Sequence, residues 1–561
     1  MALTTLAEIF QCIDNKESFI LDAGAGSGKT WSLVESLKYI IAKDGKNFQR
    51  KNQKIVCITY TNVAKDEISE RIENNELVMV STIHDFLWKC ISSYKNELKE
   101  KLVEVIDEKI DKTNQKLEAT RNKTTQTYQK NLEKKEKLES EKAELVDSKK
   151  TMQYKNYFSY KNNIISHDDV ILLSQKLFTS YGTIRKIIAD SYPIIFVDEY
   201  QDTFPEIIKI LLDELLPINK ILFGFYGDKM QKIYDKGIGE IPLSYGLKSI
   251  TKVENYRCSV SVVSLLNKIR DDIKQIPSGK NKAIEGTCNF YQANEAGFVL
   301  DDFIENNLKN LFSIHEDKSN LKVLYLTHKL IAKENNYLEL YELVNRTGKS
   351  DALTKKDEDR CPFMKFLYQI EDIVELYKAN KIQRLLKQYS YEINSFEEKK
   401  QLKRIIDILI KVRERKKINF VIKYVIKYRL LQQSSHISNF DLDDEKNKEF
   451  YDALMQIDYR QVFRACKVAD EKTPFSTKHS TKGAEFENVL VVIDDSAWFM
   501  YSFDKFFLGD MSNIDRFNRT KNLFYVVCSR AENNLAVLGL SQLQAGAQVK
   551  IAELFDEVVS V

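Results

Sequence analysis

Histidine, proline and tryptophan are scarce in this 561-residue chain, at 6, 7 and 3 residues. No two of the histidines (His84, His167, His315, His328, His436, His479) stand at metal-ligand spacing, and the eight cysteines are scattered singly without a CxxC pair. Zinc and iron–sulfur sites are therefore not indicated, and the thiols read as those of a reduced, cytoplasmic protein. So little proline leaves no Pro-rich linker, and connections must be short. No apolar run approaches bilayer length, and Met1 to Phe10 lacks the basic start and apolar stretch of a signal peptide, so no membrane partner is expected. A dominant charge sign is also missing: the formal net charge of +3 is too small to argue for nucleic acid by itself. The chain is otherwise ordinary for a globular protein, 43% hydrophobic and 30% charged, with a length that predicts roughly four domains.

Two segments carry chemistry. Ser18 to Leu21 reads as a short strand, followed by Ala23-Gly24-Ala25-Gly26-Ser27-Gly28-Lys29-Thr30 and an amphipathic helix through about Ala42. This is the strand–loop–helix setting of a P-loop, except that Ala23 stands at the usual first glycine. Glycines let successive N–H groups turn toward phosphate oxygens, and the helix N-terminus adds a favourable dipole. Lys29 would reach the β- and γ-phosphates of ATP and the Thr30 hydroxyl would sit on Mg²⁺. The second segment, Ile194-Ile195-Phe196-Val197-Asp198-Glu199-Tyr200-Gln201-Asp202-Thr203, is a buried parallel strand that ends in two carboxylates. Ligand crevices of open α/β sheets lie at such strand ends, and the pair suits Mg²⁺ handling by Asp198 and water activation by Glu199.

The pattern along the chain gives an α/β fold of two P-loop-type cores, each interrupted by one mostly helical insertion. The first core occupies 1–90 and 165–250. Between them, 91–164 is Lys/Glu-rich, with Leu98, Leu102, Ile106 and Ile110 at helical spacing, then polar Asn122 to Thr127, then Tyr128, Leu132, Leu138 and Leu145. It reads as an antiparallel helical hairpin, a solvated arm without chemistry of its own. The second core occupies 251–345 and 472–561, with strands at Val323 to Leu326, Val489 to Ile493 and Leu535 to Leu538; 346–471 is almost wholly helical. No internal sequence repeat is visible.

Further motifs accompany these two. Thr59-Tyr60-Thr61-Asn62, Ser81-Thr82-Ile83-His84, the segment from Gly227-Asp228 through Gln231 to Tyr234, Asn255-Tyr256-Arg257-Cys258, His479 to Phe486 and Tyr525 to Ala531 follow in order. With the P-loop and Asp-Glu-Tyr-Gln-Asp-Thr, they resemble the UvrD/Rep family of superfamily 1 DNA helicases over both cores. Any one motif is weak; their joint order is specific.

The resemblance implies two RecA-like cores with ATP and Mg²⁺ bound between them. It implies Lys29, Asp198, Glu199, the γ-phosphate sensor Gln231 and the arginine fingers Arg257 and Arg530 as hydrolytic residues. Both arginines are expected on the second core, so that cleft closure completes the site. Tyr256 would stack on adenine, Glu485 contact the ribose and Gln11 read the adenine edge, with Ala23 to Thr30 around the phosphates. On the nucleic-acid side, Tyr60 aligns with a base-stacking aromatic; Thr61, Asn62, Thr82, His84, His479 and Thr481 align with backbone contacts. The family implies 3′ to 5′ tracking on single-stranded DNA and unwinding of duplex. The sequence also departs from it: where relatives carry Trp and Arg after the Gln231 segment, this chain has Asp235, Lys236 and Gly237. That leaves hydrolysis intact but weakens the case for strand separation. The helical insertion at 346–471 is reduced, and its Lys/Tyr-rich helices suit duplex phosphate or a protein. The thirty or so residues after Arg530 leave no room for the nuclease of recombination-type relatives, so cleavage would need a nuclease partner. The alternative is a DNA-stimulated ATPase serving as a sensor or regulatory subunit beside a nuclease, as compact UvrD-like proteins do in antiviral defence systems such as Gabija.

Overall fold

The computed structural model describes residues 4–561, apart from 60, 121, 156, 234–236, 294–297, 326–327, 348–352, 354–360, 392, 432–443, 470–474, 478–483 and 496–500, and apart from the side chains of 62, 126, 328 and 475–477. The chain divides into two compact units, one of residues 1–284 and 521–529, the other of 285–520 and 530–561.

Six strands form the sheet of the first unit: β1 (Phe19–Ala23), β2 (Ile55–Thr59), β3 (Val78–Thr82), β4 (Ile194–Asp198), β5 (Leu222–Gly227) and β6 (Lys248–Lys252). They lie in the order β3-β2-β4-β5-β1-β6, and every pairing is parallel. Strands β2, β4 and β5, flanked on both sides, are buried along their whole length, which is why they read as unbroken apolar runs. The second unit holds β7 (Thr287–Gln292), β8 (Leu321–Tyr325), β9 (Phe475–Thr477), β10 (Phe486–Ile493), β11 (Ala531–Gly539) and β12 (Glu557–Ser560). Its order is β9-β8-β10-β11-β7-β12, again all parallel. Counted within each sheet, both orders are third-second-fourth-fifth-first-sixth. The two units repeat one architecture that the sequence does not display as a repeat.

Helices cover both faces of the first sheet. On one face, α1 (Thr5–Asn15) and α2 (Lys29–Arg50) pack Ile9, Leu33, Leu37 and Ile40 against Phe19, Cys57 and Phe196. Helix α2 runs eight residues past the expected end at Ala42; the polar stretch Lys43 to Asn47 hides the periodicity that returns with buried Phe48. After α3 (Asn62–Arg71) and α4 (Ile83–Ile91), the hairpin consists of α5 (Lys95–Ala119) and α6 (Gln126–Asp147). It is less detached than a solvated arm. Leu98, Leu102, Val105 and Ile106 share one core with Val56, Ile195 and Val197 of the sheet. Lys109 also pairs with fully buried Asp169 on α7 (His167–Ser180) at 2.5 Å. The helical segments between Pro362 and Ala469 likewise share a core with β8, β10 and β11 of the second sheet. Inside them Arg413 pairs with Glu371, each only 1% exposed.

Two segments differ from the sequence reading: 521–529, assigned to the second core, group with the first unit, and so does a longer one. Residues 251–284 were assigned to the second core, yet they group with the first unit, because β6 pairs with β1 and Asn255 and Gln275 bond to the P-loop. Arg257 therefore belongs to the first unit and Arg530 to the second. All eight cysteines are buried and none is in a disulfide. Among the described residues no helix is long and apolar enough to cross a membrane.

Candidate nucleotide and nucleic-acid site

Parallel pairing brings the carboxyl ends of β1, β4 and β5 to one edge of the first sheet. Asp198 is in register with Tyr226, and Tyr226 with Leu21, so Asp198 and the start of the P-loop stand at nearly one level. Gly26 and Gly28 hold φ of 72° and 76°, a region that favours glycine. A Cβ on Gly26 would also lie 2.6 Å from Asn255 Oδ1 and 2.7 Å from the Arg257 Cβ. Helix α2 starts without a side-chain cap, whereas α3 and α4 are capped by the Thr61 and Thr82 hydroxyls. Its first N–H groups are thus left for another acceptor. Ser27 Oγ, fully buried in the same loop, has no hydrogen-bond partner among the described residues. A phosphate group fits both observations.

The loop is braced from behind. Ala25 O accepts from Asn255 Nδ2 at 3.0 Å and Gln275 Nε2 at 2.9 Å, and Ala25 N–H donates to Tyr525 Oη at 3.0 Å. Lys29 is 9% exposed and donates to Ala23 O at 3.3 Å. Burial pulls its pKa below the ordinary lysine value; the carboxylates of Glu199, Asp228 and Asp198 oppose that pull, and Arg257 adds to it. Lys29 thus stands within electrostatic reach of those four groups.

Two acids and two amides form a chain beside it. Glu199 takes φ of 51°, an uncommon backbone region for a residue with a side chain, directly after the strand. Gln201, fully buried, donates from Nε2 to Glu199 Oε2, and its Oε1 accepts from Asp228 N–H at 3.1 Å. Asp228 in turn accepts from Gln231 Nε2 at 2.9 Å. Gly227 permits this approach, since a Cβ there would lie 2.5 Å from Gln201 Oε1. Asp228 and Arg270 form an ion pair at 3.3 Å in which both side chains are fully buried, and Arg270 donates to Tyr525 Oη at 2.7 Å. Gln201, Asp228, Asn255 and Tyr525 stand inside the motifs quoted above without having been singled out as site residues. Arg270 and Gln275 stand in none, and no local pattern marks them.

The remaining predicted residues fall in four groups. Tyr256 is half exposed and Gln11 is exposed on α1. Glu485 and Arg530 lie in the second unit, each one residue before strands that pair at Phe486 and Ala531. Arg530 is 1% exposed and donates to Ala484 O at 3.4 Å. Thr61 and Thr82 close the ends of adjacent β2 and β3, where their hydroxyls accept from Ala64 N–H and Asp85 N–H. His84 stands one turn on; its ring meets that of His167 edge-on at 4.9 Å, and His167 Nδ1 bonds Tyr154 Oη. Burial, then the neighbouring His167, lowers the His84 pKa. Tyr60, His479, Thr481 and the side chain of Asn62 lie outside the described residues, as do Tyr234, Asp235 and Lys236. Among the described residues no cluster of three metal-ligating side chains occurs.

Residues 7–237 match the UvrD/REP helicase N-terminal domain. This segment thus resembles the UvrD/Rep helicases. It is 28% identical to Gabija protein GajB of Bacillus cereus across 98% of this chain and 97% of that protein. It is 26% identical to ATP-dependent DNA helicase Rep of Buchnera aphidicola, over 44% of this chain and 40% of Rep. Against ATP-dependent DNA helicase PcrA of Staphylococcus aureus it is 23% identical, over 51% of this chain and 43% of PcrA. The chain thus spans nearly all of GajB and under half of Rep and PcrA. The P-loop, the Asp198-Glu199 pair and Gln231 all fall within the matched segment.

Proposed function

We propose that this chain is an ATP-driven DNA motor that tracks 3′ to 5′ on single-stranded DNA and separates duplex. The observation that carries the reading is the chain Glu199–Gln201–Asp228–Gln231 beside a braced, uncapped P-loop. Ser27 Oγ and the α2 N–H groups bind phosphate oxygens, and Lys29 neutralises their charge. Thr30 and Asp198 are the residues that would hold Mg²⁺, which when bound offsets charge on the phosphates. Glu199, fixed by Gln201, orients the attacking water and takes its proton. Gln231 senses the γ-phosphate, and Arg257 and Arg530 stabilise charge spreading over its oxygens. Because Gln201 joins Glu199 to Asp228 and Gln231, a change at the phosphate is transmitted along hydrogen bonds rather than through a flexible loop. Tyr256 and Gln11 take the adenine and Glu485 the ribose. Tyr60, Thr61, Asn62, Thr82, His84, His479 and Thr481 take the DNA strand, in the division of cores and insertions set out from the sequence.

The test is ATP hydrolysis with and without single-stranded DNA, alongside displacement from duplexes carrying 3′ or 5′ tails. The expected result is DNA-stimulated hydrolysis, displacement from the 3′-tailed duplex, and loss of both in Lys29→Ala. Similarity to GajB along nearly the whole of both chains supports a second reading, a DNA-stimulated ATPase subunit working with a nuclease in antiviral defence. Stimulated hydrolysis without displacement from either tail would decide for that reading.

A further inference from the structure

A second lysine enters the P-loop from the neighbouring strand. Lys252, the last residue of β6, is 4% exposed, and its Nζ donates to Ser32 Oγ at 2.7 Å in the first turns of α2. The same Nζ lies 3.8 Å from where a Cβ on Gly28 would stand. Two half-exposed rings flank it: Trp31 at 5.2 Å and Tyr256 at 5.8 Å from ring centroid to Nζ.

Core packing does not account for this arrangement. An ammonium group has three donors, and among the described residues only Ser32 Oγ accepts from Lys252, with no carboxylate at ion-pairing distance. Burying a cation in this way is costly unless an anion joins it. Its pKa is held below the ordinary lysine value, first by burial and further by the charge of Lys29, with Glu254 pulling the other way. Two ammonium groups that repel each other across one glycine-rich loop are a device for a polyanion. Lys29 reaches Ala23 O at the start of the loop, while Lys252 stands at its end, beside Gly28 and Ser32. The rings identify which end of a nucleotide belongs there, because aromatic faces exposed beside a phosphate cradle suit a base.

Resting on the ATP-site reading above, we propose that Lys252 is a second phosphate-binding cation, placed on the α-phosphate at the base-proximal end of the loop between Trp31 and Tyr256. It holds a phosphate that ATP and ADP share, so it contributes to binding of substrate and product alike. Lys29, at the β/γ end, discriminates between them.

The experiment measures equilibrium binding of ATP, ADP and adenosine by the full chain and its Lys252→Met, Lys252→Gln and Lys252→Arg variants. Charge-assisted hydrogen bonds of this kind are worth enough that Met or Gln should weaken ATP and ADP by about tenfold or more each. Adenosine binding should stay unchanged, Arg should restore most of the affinity, and KM for ATP should rise by the same factor as the dissociation constant. Unchanged ATP and ADP affinity in both Met and Gln variants would overturn the assignment. So would an equal loss on adenosine, which would mark Lys252 as a packing element between the rings. Lys29→Ala separates this from the parent reading: if it too hydrolyses ATP normally, the ATP site itself has been misassigned. If it is inactive while the Lys252 variants bind normally, only the Lys252 assignment fails.

Discussion

Replacing Arg270 by Met should destabilise the first unit by about 3 kcal/mol, the lower end of the 3–5 kcal/mol that follows when one partner of a buried ion pair is removed. The guanidinium is fully buried, pairs with Asp228 at 3.3 Å and Asp272 at 2.9 Å, and lies 5.1 Å from the Tyr525 ring centroid. Met fills much of the volume, so the cost is chiefly electrostatic: the Asp228 carboxylate keeps Met230 N–H at 3.1 Å and Gln231 Nε2 at 2.9 Å but loses its counter-charge. Those two bonds place the value at the lower end of the range. Adding Asp228→Asn to Arg270→Met removes the stranded charge, so the double variant should cost about 1–2 kcal/mol less than the two single variants summed. Urea unfolding followed by tryptophan fluorescence reads this, because Trp31 and Trp88 both lie in the first unit and Trp498 can be replaced by Phe. The chain has two units, so the transition seen by those two tryptophans is fitted by itself. A loss below about 1 kcal/mol for Arg270→Met, or strict additivity in the double variant, would refute the reasoning that an ion pair organises this hub.

Three further outcomes are expected. Glu199→Gln keeps the bulk of the side chain and an oxygen able to accept from Gln201, so nucleotide binding should persist while single-turnover hydrolysis falls by about 10²–10⁴-fold; a rate within threefold of wild type would remove the general-base role. Gly26→Ala meets both a positive φ and a 2.6 Å approach to Asn255 Oδ1, so ATP binding measured by calorimetry should be lost while the second unit's unfolding transition is unchanged. His84 has a folded-state pKa below 6.5; the unfolded chain therefore binds the extra proton first, and the first unit should gain stability as pH rises toward about 6.5. Denaturation at several pH values should show that slope flatten in His84→Phe, and an unaltered slope would show that His84 is not its source.

The candidate nucleotide-site residues were legible because they sit in short runs whose spacing is fixed by local geometry. A strand must end where Asp198 begins, and a glycine must stand where φ is positive at Gly26. The central strands were legible for a different reason: flanked on both sides, they need unbroken apolar runs. Edge strands gave no such signal. Lys248–Lys252 alternates exposed and buried residues with four polar side chains, and Glu557–Ser560 is mostly exposed, so neither stands out as a strand. The end of the first core was misplaced for the same reason, since β6 carries residues 251–284 with it. Arg270 and Gln275 were beyond reach altogether, as their roles depend on contacts with Asp228, Ala25 and Tyr525, which are distant in sequence.

Two sheets with one strand order but no visible sequence repeat show how little of a sequence such a sheet demands. The shared requirements are apolar strand interiors and turns that return each crossover to the correct side, and many sequences satisfy them. What the two sheets place near their strand ends has diverged much further. In the first, the carboxyl ends of β1, β4 and β5 hold a cradle, two acids and a chain of buried amides. In the second, the corresponding fourth and fifth strands instead begin beside Glu485 and Arg530, at their amino ends. A duplicated architecture thus carries an unequal distribution of chemistry, which suits the proposed ATP-driven function, since the phosphate-binding residues it names are concentrated on the first core. That asymmetry matches the distribution of motifs: the first unit is dense in them, whereas the second holds His479 to Phe486 and just the Arg530-Ala531 end of the last one.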